Sequence, residues 1–172
     1  MNKKIKYLVM DVDGTLTDGK IYMGPTGEAM KAFDIKDGFG IHDILPDIGI
    51  EPVILTGRFS EIVKRRCNEL GIKYVMQGVK DKLPKLKEFI SGQNMTFENV
   101  AYIGDDLNDL KPMQLAGFVA CPLDGCDEIK EISNYISKVR GGDGVIRDVM
   151  MHLLRSSGIW SECVSKVYSV GI

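Results

Sequence analysis

Residues 7–14 read YLVMDVDG, an apolar run closed by two carboxylates, Asp11 and Asp13, with only Val12 between them. Two further groups of this kind follow. ILTGR puts Thr56, Gly57 and Arg58 at the end of a second apolar run, and VAYIGDDLND brings Asp105, Asp106 and Asp109 to the end of a third. Carboxylates gathered at short range raise one another's pKa, and a divalent cation resolves that repulsion. Oxygen-only ligands without a histidine cluster favour magnesium over zinc or copper, and magnesium usually keeps waters and a substrate phosphate as partners. In such a site Asp11 is placed to attack phosphorus as an ionised nucleophile. Asp13, two residues on, is placed to protonate the leaving alcohol and then to deprotonate the hydrolytic water. Thr56 offers a hydroxyl, and Lys82 a cation for the transferring phosphoryl group.

These groups need elements that hold them together. The runs IKYLVM, EPVILT, KYVM, NVAYIG and GFVAC are short, apolar and separated by amphipathic stretches. This pattern predicts buried strands joined by helices, a doubly wound (Rossmann-like), mainly parallel α/β sheet. Ligands of such sheets bind beyond the carboxyl ends of the strands, where the acids stand. Helices are predicted near 39–47, 60–70, 81–90, 107–115, 126–133 and 144–156, with Gly49, Gly71, Gly92 and Gly117 as left-handed caps just past four of them. Residues at about 20–34, KIYMGPTGEAMKAFD, break the rhythm and predict an inserted β-hairpin turning around Gly24 to Gly27. The tail at about 158–172 is too apolar for a loose end, which predicts packing against the body or another subunit.

A chain of 172 residues, 44% hydrophobic and 27% charged, suits one globular domain. A net charge of −2 gives no general attraction to nucleic acid or to an anionic membrane. Asp11 interrupts the first apolar run before it reaches the length of a signal core or membrane span, so a cytoplasmic location is expected. The four cysteines are scattered without zinc or redox spacing and read as reduced, mostly buried thiols.

In order and spacing, DVDGTLTDG, ILTGR, the lysine of VKDKL and GDDLND resemble the four motifs of the haloacid dehalogenase-like phosphohydrolases. The resemblance implies Asp11 as nucleophile, Asp13 as general acid and base, and Thr56 and Lys82 as phosphate ligands. It also implies magnesium held by Asp11, the backbone carbonyl of Asp13 and Asp105, with Asp106 and Asp109 supporting the metal site or ordering Lys82. The intervals between the motifs leave no room for the cap domain of larger members.

Through KAFDIKDGFGI, GIKYVMQGVKDKL, NVAYIGDDLND and RGGDGVIRDV the chain is similar, over nearly all of residues 5–154, to the 3-deoxy-D-manno-octulosonate 8-phosphate phosphatase family. That likeness implies a homotetramer in which hairpins pack together and each C-terminal segment reaches a neighbour's site. It implies a substrate site lined by Asp13, Asp34, Ile35, Lys36, Asp37, Gly38, Thr56, Gly57, Arg58, Arg66 and Lys82. A planar guanidinium suits the carboxylate of a sugar acid, and of the adjacent Arg65 and Arg66 only one can face the site from a helix. Asp34 and Lys36 stand where the family commonly has Asn and Arg, and His42 where Arg is common. Related phosphatases of nine-carbon keto-acid 9-phosphates commonly carry Glu after the Thr-Gly pair. Arg58 therefore favours the eight-carbon substrate, with the nine-carbon type as the alternative. RGGDG is either a turn before the last helix or a neighbour's substrate loop. Two readings from other classes are a receiver-like signalling domain and a noncatalytic scaffold. No lone acceptor Asp closes EPVIL, and every expected reactive group is retained, which argues against both.

Overall fold

The computed structural model describes residues 5–168. Strand β1 (Tyr7–Met10) leads into the acidic loop, followed by a hairpin of β2 (Tyr22–Gly24) and β3 (Gly27–Met30). Helix α1 (Ile35–Phe39) precedes β4 (Glu51–Leu55), α2 (Glu61–Glu69), β5 (Tyr74–Met76) and α3 (Lys82–Gly92). Then come β6 (Val100–Ile103), α4 (Leu107–Met113), β7 (Phe118–Cys121), α5 (Asp127–Ile132), β8 (Tyr135–Ile136), α6 (Val145–Ser156) and α7 (Trp160–Tyr168).

Six strands form one sheet in the order β5-β4-β1-β6-β7-β8, and every pair in it is parallel. Along β1 alternate side chains enter opposite cores. Leu8 and Met10 pack with Val63 of α2 and Val149 of α6, whereas Tyr7 and Val9 pack with Leu86 of α3 and Met113 of α4. With both faces covered, a strand has no polar side to show, and this is why YLVM reads as a continuous apolar run. The chain reverses its direction of travel across the sheet at β1, so the crevice beyond β1, β4 and β6 is the natural ligand site. Among the described residues no helix is long and apolar enough to cross a membrane.

The predicted strands and most helices are present, with differences that have physical causes. The helix expected from 39 begins at Ile35, where Asp34 Oδ1 accepts from the Lys36 N–H at 2.6 Å. It continues into a π turn over Gly40–Ile44. Gly40 serves close packing there, since a Cβ would lie 2.8 Å from Met150 Cε of α6. Strand β8, two residues long, was not expected at all; its pairing with β7 is what creates it. Gly49 and Gly71 have the left-handed caps predicted for them, whereas Gly92 closes α3 as its last residue and the left-handed position falls on Asn94. Gly117 instead allows a close approach, because a Cβ there would lie 2.6 Å from Glu98 O.

The hairpin turns through Pro25 and Thr26, between the paired Gly24 and Gly27. Helix α7 packs on the body of its own chain: Trp160 lies against the guanidinium groups of Arg147 and Arg155, and Lys166 Nζ is 2.9 Å from Asp47 Oδ1. The last part of the predicted tail, 169–172, lies outside the described residues.

Candidate active site

Strand β1 delivers Asp11 to the sheet's carboxyl edge, where its N–H donates to Ile103 O at 3.0 Å. Strand β6 delivers Asp105, and the first turn of α4 brings Asp109 beneath it. Carboxylate oxygens of these three residues lie within 4.8 Å of one another. Gly14 makes this possible: its φ is +94°, and a Cβ there would lie 2.0 Å from Asp105 Oδ2. The RGGDG loop presses on the same turn. The Gly142 N–H donates to Thr15 O at 3.1 Å, and a Cβ on Gly141 would lie 1.9 Å from Gly14 O. In this chain the loop therefore buttresses its own acidic turn.

Lys82, the first residue of α3, is almost fully buried. Its Nζ donates to Asp109 Oδ1 at 2.7 Å and lies 2.9 Å from Asp11 Oδ1. Tyr102 OH also donates to Asp109 Oδ1, at 2.7 Å. Asp109 is thus occupied in holding Lys82 against Asp11. Burial and the Asp109 charge push Asp11 up to about 6, and burial with Asp11 and Asp109 pushes Asp105 up to about 8. Burial opposes charge on Lys82, but Asp109 and Asp11 outweigh it and its pKa is raised.

This arrangement fits a divalent cation. Three hard oxygen donors converge without a histidine or cysteine among them, their own repulsion resists full ionisation, and Asp109 Oδ2 is buried without a hydrogen-bond partner among the described residues. Asp11, Asp105 and Asp109 are the carboxylates that converge there, and Thr15 Oγ1 donates to Asp105 Oδ1 at 3.0 Å and orients it.

Above the acids lies a cleft of about 200 Å³ lined by Asp11, Asp13, Thr56, Gly57, Arg58, Asp105, Asp106 and Asn108. Asp13 faces cations: Lys31 Nζ bonds its Oδ1, and Arg58 Nε lies 3.6 Å from its Oδ2. Asp106 caps α4, accepting from the Leu107 N–H at 2.8 Å. Asn108 and Thr15 stand inside the quoted motifs without having been singled out. Lys31 and Glu28 of the hairpin gave no signal beyond strand alternation.

The 34–38 segment is not brought into this cleft. Ile35 and Lys36 are exposed, and Asp34 caps α1. Asp37, which is buried, accepts from the Arg147 N–H at 2.8 Å and so caps α6. Arg66 also lies outside the lining of this cleft. Its guanidinium lies between Gly38 and Phe33, with Nη1 3.4 Å from Glu69 Oε2, away from the acid cluster. His42 is exposed and pairs with Asp43.

Burial pushes Asp37 up to about 7. A carboxyl raised above its unfolded value contributes stability in its protonated form, and that contribution is lost as pH rises from about 4 through 7. Asp37→Asn copies the protonated acid. Its denaturation midpoint should therefore match wild type below about pH 4, exceed it increasingly from there to about pH 7, and keep the full advantage at about pH 8, with a difference growing by at most about 1.4 kcal/mol per pH unit. Parallel pH profiles in urea titrations would show that Asp37 ionises in the fold without cost.

Comparisons with known proteins place this fold among characterised relatives. Residues 74–148 match the haloacid dehalogenase-like hydrolase model. The 3-deoxy-D-manno-octulosonate 8-phosphate phosphatase of Escherichia coli is 39% identical over 160 residues, 93% of this chain and 85% of that one. The crystal structure of 3-deoxy-D-manno-octulosonate 8-phosphate phosphatase from Moraxella catarrhalis, in complex with a magnesium ion, a phosphate ion and a KDO molecule, superposes with a TM-score of 0.90 at 39% identity, covering 95% of this chain and 94% of that one. The cobalt-bound form of the deoxy-D-mannose-octulosonate 8-phosphate phosphatase from Haemophilus influenzae gives a TM-score of 0.87 at 35% identity, with 92% of each chain covered. The first strand's acid pair, the Thr56 end of β4 and the Lys82–Asp109 support thus sit in a fold shared almost end to end with these enzymes, and the chain belongs to the haloacid dehalogenase-like hydrolase family.

Proposed function

We infer that the protein is a magnesium-dependent phosphatase that hydrolyses 3-deoxy-D-manno-octulosonate 8-phosphate. The observation that carries this reading is Asp11, a buried carboxylate at the end of β1 between the Lys82 ammonium and two further acids, in a chain 39% identical to phosphatases of that substrate.

Asp11, Asp105 and the Asp13 backbone carbonyl would hold magnesium, which would supply the positive charge that lets an anionic nucleophile meet an anionic phosphate. Asp11 attacks phosphorus, and the bond to the sugar oxygen breaks as Asp13 gives that oxygen a proton. An aspartyl-phosphate remains. Asp13, now a carboxylate, takes a proton from water, whose oxygen attacks phosphorus and releases Asp11 and inorganic phosphate. Thr56 and Lys82 hold the phosphoryl oxygens, and Asp109 orders Lys82. Arg58, half-exposed with only long contacts of 3.6 and 3.8 Å to Asp13 and Glu28, is free to turn to the sugar's carboxylate. Asp34, Ile35, Lys36, Asp37, Gly38 and Arg66, substrate-site residues by the family resemblance, lie outside the lining of the cleft around Asp11.

The whole chain works as one capless domain, and as a homotetramer. Support for self-association is the cluster of apolar side chains that the hairpin exposes, Ile21, Tyr22, Met23 and Met30. A cytoplasmic setting belongs to the same proposal and is supported by four free thiols, three of them buried.

The test compares kcat/KM for the eight-carbon and nine-carbon keto-acid phosphates and for phenyl phosphate, in wild type and Arg58→Ala. The eight-carbon substrate should lead in wild type. The variant should lose about tenfold or more on the sugar acids, the worth of one charge-assisted hydrogen bond, and far less on phenyl phosphate. A lead for the nine-carbon substrate overturns the substrate assignment, and equal losses overturn the role of Arg58.

A further inference from the structure

The hairpin is exposed along much of its length, with Met23 69% and Met30 56% exposed, yet the residue after β3 turns inward. The Lys31 side chain has no exposure to solvent. Burying an ammonium costs several kcal/mol unless it is paired, so its partners are informative. Its Nζ bonds Asp13 Oδ1 and lies 3.1 Å from Glu28 Oε1. Glu28 is anchored in turn, its Oε2 accepting from Ser60 Oγ, and Ser60 caps α2. A continuous clamp runs from the body through the hairpin to one oxygen of Asp13. Among the described residues the other oxygen, Oδ2, has only the 3.6 Å contact with Arg58.

A lysine needed only to pin the hairpin has no reason to choose the one carboxylate that must meet the leaving oxygen. We propose that Lys31 is a positioning residue for catalysis: by holding Asp13 Oδ1 from beneath the hairpin, it fixes the carboxylate so that Oδ2 meets the leaving oxygen. The inference rests on the reading of Asp13 as the group that protonates the leaving oxygen. It gives the hairpin a second task beside self-association, because a shift of β3 moves the acid.

Proton donation matters most when the leaving group is a poor one, so the test is a leaving-group series. With the full chain and magnesium, kcat/KM is measured for substituted phenyl phosphates from nitrophenyl to unsubstituted phenyl, and for an alkyl phosphate, in wild type, Lys31→Met and Lys31→Arg. This constant ends at the bond cleavage and is blind to the later hydrolysis. Misplacing a general acid costs on the order of 10- to 100-fold. Lys31→Met should lose about that much on the alkyl phosphate and less than about threefold on the nitrophenyl ester, and Lys31→Arg should recover part of the loss. Equal losses across the series, or no loss at all, would show that Lys31 only holds the hairpin. If Lys31→Met does not fold, Lys31→Gln carries the same comparison. Absence of phosphatase activity in the unaltered chain overturns the reading of the site and this inference with it, whereas equal losses overturn the inference alone.

Discussion

Asp11→Asn should fold, bind magnesium and hydrolyse nothing. Removing a nucleophile from a site whose remaining groups act through it lowers turnover by about 10,000-fold or more, and the amide leaves no oxygen able to form an acyl-phosphate. Wild type quenched in acid during turnover with labelled substrate should carry covalent phosphate, and the variant none. The stability consequence has the opposite sign. Asp11 is pushed up to about 6 by burial and by Asp109, against the favourable Lys82 contact. Its ionised form is therefore less favourable in the metal-free fold than in the unfolded chain. That cost is absent below about pH 4 and grows as pH rises through 6. In chelator at pH 8 the variant should melt at or above wild type, with the advantage shrinking towards pH 5. Near-normal turnover in a preparation shown by mass to be free of deamidated Asp would refute the nucleophile assignment.

The acids were legible in the sequence because the strands that carry them are buried on both faces. An apolar run closed by a polar group is conspicuous, and Asp11, Thr56 and Asp105 each stand at the end of one. Partners set by packing between distant segments left no such trace. Lys31 follows a strand whose alternation predicts one exposed side, and nothing local distinguishes a lysine that turns inward from one that is solvated. Gly141 against Gly14 is a contact across most of the chain, visible only when the two loops meet. Arg66 was legible as a helix arginine but not in its direction, which Phe33 and Glu69 decide. The segment at 34–38, singled out for the substrate site only by resemblance, spends much of its chemistry locally, with Asp34 starting α1 and Asp37 ending as the cap of α6. A motif match locates such residues, and the hydrogen bonds then assign their work.

Lys82→Met should be the most damaging change to the fold within the site, and the damage should be repairable without restoring turnover. The ammonium is almost fully buried and is the cation in contact with both Asp11 and Asp109. Deleting it leaves two buried carboxylates repelling each other and Asp105, and breaking a buried pair from one side costs about 3–5 kcal/mol. Because the stranded acids must then take up protons to be tolerated, the loss should be larger at pH 8 than at pH 5. Magnesium should raise the melting temperature of the variant more than that of wild type, since the ion replaces part of the missing charge. In Lys82→Met/Asp109→Asn one of the stranded charges is gone, so much of the stability should return. Turnover should stay down by about 100- to 1,000-fold, the usual cost of losing a charge that stabilises the transition state. A double variant no more stable than Lys82→Met would mean that Asp109 does not rely on Lys82 for its burial. Recovery of turnover along with stability would mean that Lys82 supports the fold and takes no part in holding the phosphoryl group.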